Sequence, residues 1–546
     1  MEVLKDVYVP MRDGVELAVD IYRPDAPGPH PAVLQRTPYL KAGVIAGMSL
    51  TADGLPATSP VGPITAGMLG NVQGLVDAGY AVVVGDARGT GNSEGVYDYY
   101  NFEGGPFDGY DTIEWLAAQR WCDGNVGMMG ASASAIYCYI AALTHPPHLK
   151  AISSNMHPTD LYLDQWFVGG VFRYENRIGW STGMVARLAP QDPGDPSSAN
   201  YERKRAVYRQ RYHHYFERIA AGKNPVNLDW LTEAYQHRQY DAFWRQRSFT
   251  DRLAEIDVPT LHGGVLFDHF ARGTWNGHAG IRAPKRLVMT PGALADTAEA
   301  ADGGFPELQR RWFDRFLRGV ENGVLDEPEV HFRLMGADRW VEEPVWPVPT
   351  VDQLLFFAPG PAGVSASRND GLLLGSLPAD GSTDTIVHDP SAPNSTPRDL
   401  SDQRAFEAGC LTYTSAPLEA GLEVIGFPHV RLFASSDATD VDWCVRLCDI
   451  FPDGRAQLLN VGALKATHVA SHSHPAPLTP GRIYEFDIEI PPVLNYFQRG
   501  HRVRLDLATS DFPFFEANAL PSANRVFMGA SQPSRLLLPV RASAVQ

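Results

Sequence analysis

GMMGASASA, residues 127–135, follows a strand-like lead-in and opens an Ala-rich, helix-like run. Gly130 and Ser132 therefore fall on a turn from a strand into a helix. A serine on such a turn stands above the sheet, and the first amides of the helix can donate hydrogen bonds to an oxyanion. The stretch predicts a nucleophile elbow with Ser132 at its tip, and Ser134 as an ordinary helix residue.

Length, composition and charge limit the classes of protein to consider. The chain has 546 residues, which is too long for one core, so we expect two or three domains. A hydrophobic content of 44%, with 50 Gly and 43 Pro, is typical of a loop-rich globular protein. The formal charge of -17 argues against nucleic acid or an anionic membrane surface as a partner.

Cysteine usage and the N-terminus predict a cytoplasmic protein. The five cysteines are scattered, without the spacing of a disulfide framework. The first ten residues lack the basic start and apolar core of a secretory signal. No run of about 18 apolar residues suggests a membrane span.

Residues 1–155 alternate between strand and helix patterns. Residues 11–15 form a turn between two short strands, since Asp-Gly supplies the positive φ angles of a tight hairpin. Residues 31–35 and 80–84 are short apolar runs typical of buried strands, and residues 108–116 have the pattern of a helix. This alternation predicts a mainly parallel sheet covered by helices.

The remaining chain divides into three further regions. Residues 156–255 predict an inserted helical cap, with helical spacing in residues 201–219 and 230–244. Residues 256–343 return to the α/β pattern and complete the first domain. After a Pro-rich boundary, residues 350–546 show short β runs between turn residues, which predicts a β-sandwich or jelly roll.

Several longer segments resemble one known family. They are residues 11–24 (MRDGVELAVDIYRP), 36–39 (RTPY), 86–95 (DARGTGNSEG), 108–111 (DGYD), 500–505 (GHRVRL) and 511–513 (DFP). With the order of regions, they resemble the cocaine-esterase, α-amino-acid ester hydrolase and X-Pro dipeptidyl-peptidase family, also called CocE/NonD hydrolases. The resemblance implies an α/β-hydrolase fold with an inserted helical cap and a C-terminal all-β jelly-roll domain.

The resemblance also implies a set of site residues. Ser132 matches the nucleophile of the family. The oxyanion donors would be the backbone N–H of Ala133 and the hydroxyl of Tyr39. The acid matches Asp268, at the end of the GGVLFD stretch of residues 263–268.

The histidine of the triad has no match in this chain. In the family it ends a Gly-Pro-Trp-x-His-like segment after a strand, and here the corresponding segment, TPGAL, places Leu294 at that position. No histidine occurs between Ala279 and Val330. Asp296, Glu299 and Asp302 follow nearby, but carboxylates are poor bases towards a serine hydroxyl. We therefore expect a degenerate triad.

Other histidines remain candidates for the missing base. His262 and His269 flank the acid segment, and His213, His214 and His237 belong to the predicted cap. Two further positions depart from the family, which usually has Tyr directly after the serine and Gly three residues after it. Here Ala133 and Ala135 stand there, which predicts a larger pocket.

Three functional hypotheses follow. The first is a diverged enzyme that acts on a carbonyl small molecule, an ester, an amide or an activated acyl compound. It would hydrolyse it weakly or use the oxyanion hole for cyclisation, elimination or isomerisation. The second is a non-catalytic protein that binds a small molecule or a protein partner. The third is a conventional esterase or peptidase with a relocated histidine.

The expected partner is a small-molecule carbonyl compound, without nucleic acid or membrane, and a homo-oligomer stays open. No cofactor or metal is expected. His468, His472 and His474 have a spacing that could hold a metal ion, but no carboxylate or thiolate stands beside them.

Overall fold

The computed structural model describes residues 1–42, 72–198, 200–292, 304–360, 371–378 and 381–542. Within these residues lie a ten-stranded sheet, a 13-stranded sheet and a two-stranded pair. The first twelve strands are β1 (Glu2–Pro10), β2 (Glu16–Arg23), β3 (His30–Thr37), β4 (Ala81–Asp86), β5 (Cys122–Ala131), β6 (Leu149–Asn155), β7 (Phe167–Val168), β8 (Val171–Phe172), β9 (Thr260–Val265), β10 (Lys285–Thr290), β11 (Val330–Leu334) and β12 (Arg339–Glu343).

The later strands all belong to the 13-stranded sheet. They are β13 (Thr350–Ala358), β14 (Gly371–Leu374), β15 (Ser382–His388), β16 (Leu411–Ser415), β17 (Leu422–Gly426), β18 (His429–Ser436), β19 (Asp442–Ile450), β20 (Ala456–Lys465), β21 (Tyr484–Glu489), β22 (Val493–Phe497), β23 (Arg502–Ala508), β24 (Ser522–Met528) and β25 (Arg535–Arg541).

The helices lie mainly in the first two thirds of the chain. The α-helices are α1 (Val72–Asp77), α2 (Asp108–Ala117), α3 (Ala133–Ala142), α4 (Tyr174–Leu188), α5 (Tyr201–Ala220), α6 (Asp229–Gln236), α7 (Ala242–Arg245), α8 (Ala271–Gly280) and α9 (Gly304–Arg318). Short 3-10 helices span Tyr99–Asn101, Thr250–Glu255, Arg404–Gly409 and Ala466–His468, and a π-helix spans Leu161–Trp166.

The ten-stranded sheet has the order β1-β2-β4-β3-β5-β6-β9-β10-β11-β12. All neighbours from β4 to β11 pair in parallel, whereas β1, β2 and β12 pair antiparallel at the two edges. The carboxyl ends of β3, β5, β6, β9 and β10 therefore share one edge of the sheet. The predicted α/β class with a C-terminal all-β region is confirmed, while the domain limits stay a prediction.

One predicted helical stretch is wrong in detail. Residues 230–244 do not form one helix, because α6 ends at Gln236 and α7 begins only at Ala242. Asp241 caps the second helix, since its carboxylate accepts a hydrogen bond from the N–H of Phe243 at 3.0 Å. The indole of Trp244 donates to the carbonyl of His237 at 2.6 Å, which holds the intervening turn.

The cysteines and the helices bear on two expectations made from the sequence. All five cysteines are buried free thiols: Cys122, Cys138, Cys410, Cys444 and Cys448. In the part of the chain that the structure describes, no helix is both long enough and apolar enough to cross a membrane.

Gly130 sets the distance between β5 and α3. A Cβ atom at this position would lie 2.4 Å from the carbonyl carbon of Ser134 and 2.5 Å from its oxygen. Every residue of α3 is buried, so the helix has no free side towards which it could move. The glycine is therefore required for the close approach of the strand and the helix.

We predict that Gly130→Ala lowers the free energy of unfolding by about 1–3 kcal/mol or prevents folding, because a backbone contact cannot relax cheaply. Chemical denaturation followed by circular dichroism measures the loss. Gly375→Ala is the matched control, since a Cβ there meets nothing within 4 Å. Equal stability of the two variants would contradict the close approach.

Candidate active site

Ser132 occupies the turn between β5 and α3 in a strained conformation. Its φ of 57° and ψ of −125° lie in a region that non-glycine residues rarely adopt. Its N–H donates to the carbonyls of Asn155 and Met156 at the end of β6, at 3.0 and 3.1 Å, and so holds the turn in place. Ser132 is half-buried, whereas its neighbours in sequence are buried, so the turn presents the hydroxyl to the solvent side.

Tyr39 reaches the same point from the end of β3. Its hydroxyl lies 3.4 Å from Oγ of Ser132. The indole N–H of Trp180, on α4, donates to the Tyr39 hydroxyl at 3.1 Å. Because the Tyr39 oxygen accepts this bond, its own proton is free to point towards Ser132 or towards an oxyanion formed there.

Ala133 begins α3 directly after the serine. The first N–H groups of a helix have no acceptor within the helix, and the positive end of the helix dipole lies there. The N–H of Ala133 is therefore available to an oxyanion. A larger pocket is expected because Ala133 is small. Its side chain is fully buried, so it does not itself line an open pocket.

Asp268 follows β9 at the same edge of the sheet, but it bonds to neither Ser132 nor Tyr39. One of its carboxylate oxygens lies 2.8 Å from Nδ1 of His269, and the other is buried without a partner. Nε2 of His269 is also buried without a partner. Burial lowers the pKa of His269 and outweighs Asp268, and nearby Arg177 and Arg173 act in the same direction as burial. The imidazole is therefore neutral, with Asp268 in place to orient it.

No histidine forms a hydrogen bond with Ser132. All 17 histidines of the chain lie within the described ranges, and the hydroxyl of Ser132 has Tyr39 as its recorded partner. Leu294, at the position expected for the triad histidine, lies outside the described residues. The same is true of Asp296, Glu299 and Asp302.

The other candidate bases have partners elsewhere, and none of them bonds to Ser132. His262 is fully buried in β9, with Nδ1 3.2 Å from Nε2 of His157. On the helices of the insert, His213 and His214 pair with Glu217, and His237 pairs with Asp241 in the turn after α6. Ser134 is fully buried within α3, as expected for a helix residue.

The sequence did not point to Trp180 or to the arginines that accompany it on α4. Arg177 and Arg187 are buried on this helix, and Arg173 is buried immediately before it. The signal was available in the spacing, because positions 173, 177, 180, 184 and 187 follow the helical repeat and lie on one face.

Two family models match the chain in succession. The model of the X-Pro dipeptidyl-peptidase (S15 family) matches residues 13–293. The model of the X-Pro dipeptidyl-peptidase C-terminal non-catalytic domain matches residues 322–536. The first match contains the elbow and Asp268, and the second falls mainly in the 13-stranded sheet.

Individual relatives cover nearly the whole chain. Cocaine esterase of Rhodococcus sp. (strain MB1 Bresler) is 30% identical, over 98% of each chain. A putative serine esterase of Mycobacterium bovis is 27% identical, over 98% of this chain and 94% of its own. The solved structure of a CocE/NonD family hydrolase from Staphylococcus aureus has a TM-score of 0.76 at 20% identity, over 98% of this chain and 93% of that chain. At this identity the solved structure shows the fold alone.

The buried histidines beside the site predict a loss of stability in acid. Burial lowers the pKa of His157 from 6.5 to about 4. Between pH 6.5 and pH 4, His157 therefore binds a proton in the unfolded chain but not in the folded protein. The stability that this histidine supplies is complete above that pH and falls towards pH 4, by about 1.4 kcal/mol per pH unit.

We predict that His157→Gln reduces the slope of the unfolding free energy against pH between pH 6.5 and 5. The reduction corresponds to about one fewer proton bound on unfolding. Chemical denaturation at a series of pH values measures the slope. His213→Gln, which removes a histidine with 77% of its side chain exposed, is the control and leaves the slope nearly unchanged. An unchanged slope in His157→Gln would mean that His157 takes up a proton in the folded protein.

Proposed function

This chain belongs to the X-Pro dipeptidyl-peptidase (S15) family of serine hydrolases, and from this premise we propose that it acts on a carbonyl small molecule at Ser132. The contact of 3.4 Å between the hydroxyls of Tyr39 and Ser132 carries the proposal. A carbonyl group at Ser132 would place its oxygen within reach of two donors, the Tyr39 hydroxyl and the Ala133 N–H. The esterase names of two relatives favour an ester as the substrate.

The oxyanion donors support more than one reaction. Preorganised donors stabilise negative charge on a carbonyl oxygen, whether it develops in a tetrahedral intermediate or in an enolate. Removal of one such donor costs about 10²–10³ in kcat in serine hydrolases. The site is thus suited to ester cleavage and also to cyclisation, elimination or isomerisation of a carbonyl compound.

The mechanism also needs a base that takes the proton from the Ser132 hydroxyl. With Leu294 at the family's histidine position, we propose that the classical triad is degenerate. Loss of the triad histidine costs on the order of 10⁶ in kcat in a serine protease. Turnover by simple hydrolysis would then be slow unless another group takes the proton from the Ser132 hydroxyl.

His269 is the candidate for that base if the histidine is relocated. Its Nδ1 lies 2.8 Å from Asp268, and its Nε2 is buried without a partner, which is the state required of a general base. In the present conformation it does not bond Ser132, so this alternative needs a local movement on substrate binding. The protein would then be a conventional esterase with a relocated histidine.

A non-catalytic binding protein is the remaining alternative. The polar groups gathered at Ser132, namely the hydroxyl of Tyr39, the indole N–H of Trp180 and the free helix amides, disfavour it. A site that had lost its chemistry would have no need of donors aimed at the serine. The strained backbone of Ser132 points the same way, because such strain is usually kept for a function.

We predict that a fluorophosphonate probe distinguishes these alternatives. Wild type, Ser132→Ala and His269→Gln are treated, and the rate and site of labelling are measured by mass spectrometry. With a degenerate triad, Ser132 is labelled slowly and His269→Gln has the same rate as wild type. Rapid labelling that is lost in His269→Gln would establish His269 as the base.

We predict further that Tyr39→Phe lowers kcat of any ester turnover by about 10²–10³ with a smaller effect on KM, because the donor acts mainly in the transition state. Steady-state kinetics with chromogenic esters measures the change. Tyr212→Phe, at an exposed tyrosine of α5, is the control. Turnover that survives both Tyr39→Phe and Ser132→Ala unchanged would place the reaction elsewhere.

A further inference from the structure

The inward face of α4 is cationic. Arg173, Arg177, Trp180, Met184 and Arg187 follow one another at intervals of four and three residues, so their side chains share one side of the helix. All three arginines of this face are buried, and Arg177 is only 1% exposed. We call Arg173, Arg177 and Arg187 the α4 arginine face.

These arginines differ from the other buried arginines of the described chain in having no carboxylate partner. The guanidinium of Arg177 bonds to the side chain of Asn176, that of Arg187 bonds to the carbonyl of Gly183, and that of Arg173 makes no hydrogen bond within the described residues. One guanidinium nitrogen each of Arg173 and Arg177 is buried without a partner. Seven other buried arginines are each ion-paired: Arg36, Arg88, Arg218, Arg247, Arg286, Arg446 and Arg504.

The α4 arginine face lies against the candidate active site. The guanidinium of Arg187 is 5.4 Å from the ring centre of Tyr39. The guanidinium of Arg177 is 5.4 Å from the ring centre of Trp180, whose indole N–H bonds to the Tyr39 hydroxyl. The carboxylate of Asp268 is near enough to Arg173 to act against the lowering of its pKa by burial. The positive charges therefore extend from the oxyanion donor to the acid position.

The nearby carboxylates do not balance this charge. Asp164 already accepts from Arg272 at 2.9 Å, and Glu175, on α4 itself, pairs with Arg398 at 2.6 Å. Asp268 bonds to His269, and its single negative charge is set against the three positive charges of the α4 arginine face. Burial and repulsion from Arg177 together lower the pKa of Arg173 to about 10, although Asp268 and Asp164 act in the opposite direction. An uncompensated buried cation is costly, so the face is a site prepared for an anion.

We propose that the α4 arginine face binds a carboxylate of the substrate, so that the carbonyl compound acted on at Ser132 is itself an anion. This inference rests on the proposed function for the position of the reacting carbonyl. A guanidinium presents parallel N–H donors that match a carboxylate, and Trp166 and Trp180 flank Arg177 and hold its plane. Neutral esters of the same length would leave the three cations without a carboxylate partner.

Binding to Ser132→Ala tests the proposal without turnover. The probes are monomethyl glutarate, which carries one carboxylate, and dimethyl glutarate, its neutral counterpart. We expect titration calorimetry to show the monoester binding at least about tenfold more tightly, as for charge-assisted hydrogen bonds. Adding Arg177→Gln should reduce the preference to within about threefold. Arg218→Gln, at a buried arginine paired with Asp229, is the control and keeps the preference.

Equal affinity for the two probes, or no binding of the monoester, would overturn the proposal. Neither result would touch the proposed function, which fluorophosphonate labelling of Ser132 tests separately. Failure of the labelling together with a retained preference for the monoester would mean an anion-binding pocket without serine chemistry.

Thermal unfolding without ligand gives an independent readout. Arg177→Gln removes a cation that has no carboxylate partner, so we expect it to melt no lower than wild type. Arg446→Gln breaks a fully buried pair with Asp511 and should melt lower. If Arg177→Gln lowers Tm as much as Arg446→Gln does, the arginine is structural and the proposal fails.

Discussion

Because Gly130 has no side chain, the backbone of β5 packs directly against the backbone of α3. This close packing determines the conformation of Ser132, which lies between the two elements. A chain that leaves a strand and enters a helix across so short a distance must turn sharply, and Ser132 turns at a positive φ. The N–H of Ser132 is taken by β6, so the hydroxyl and the following amides point outward. The main-chain donors at the elbow are thus fixed by a geometry that is independent of the residue that serves as base.

Electrostatics adds a second constraint. The chain carries a formal charge of -17, yet the helix over the site buries three arginines without ion pairs. Their charge helps to keep His269 neutral, since Arg173 and Arg177 disfavour a second proton on its ring. It would also stabilise negative charge that develops near Tyr39. A cationic interior in an acidic protein is costly, and such a cost is usually tolerated where it serves binding or catalysis.

Much of the architecture could be predicted from the sequence, because local patterns determine it. The Asp-Gly hairpin, the helix after residue 108 and the elbow all follow from short-range rules, and parallel strands bring Tyr39 close to Ser132. The α4 arginine face was not predicted, because an amphipathic helix is normally read with its apolar residues inward. The break between α6 and α7 depends on the Asp241 cap and on a tertiary hydrogen bond of Trp244, which helical spacing does not reveal.

Asp268 would keep a role in the degenerate triad that we propose. In a complete triad the carboxylate orients an imidazole and stabilises its positive charge. Here its bond goes to the adjacent His269, and its charge acts on Arg173. Removal of the carboxylate would leave Arg173 and Arg177 facing each other with less compensation inside the fold. In the proposed degenerate triad, the acid would therefore keep an electrostatic role that does not require a histidine at position 294.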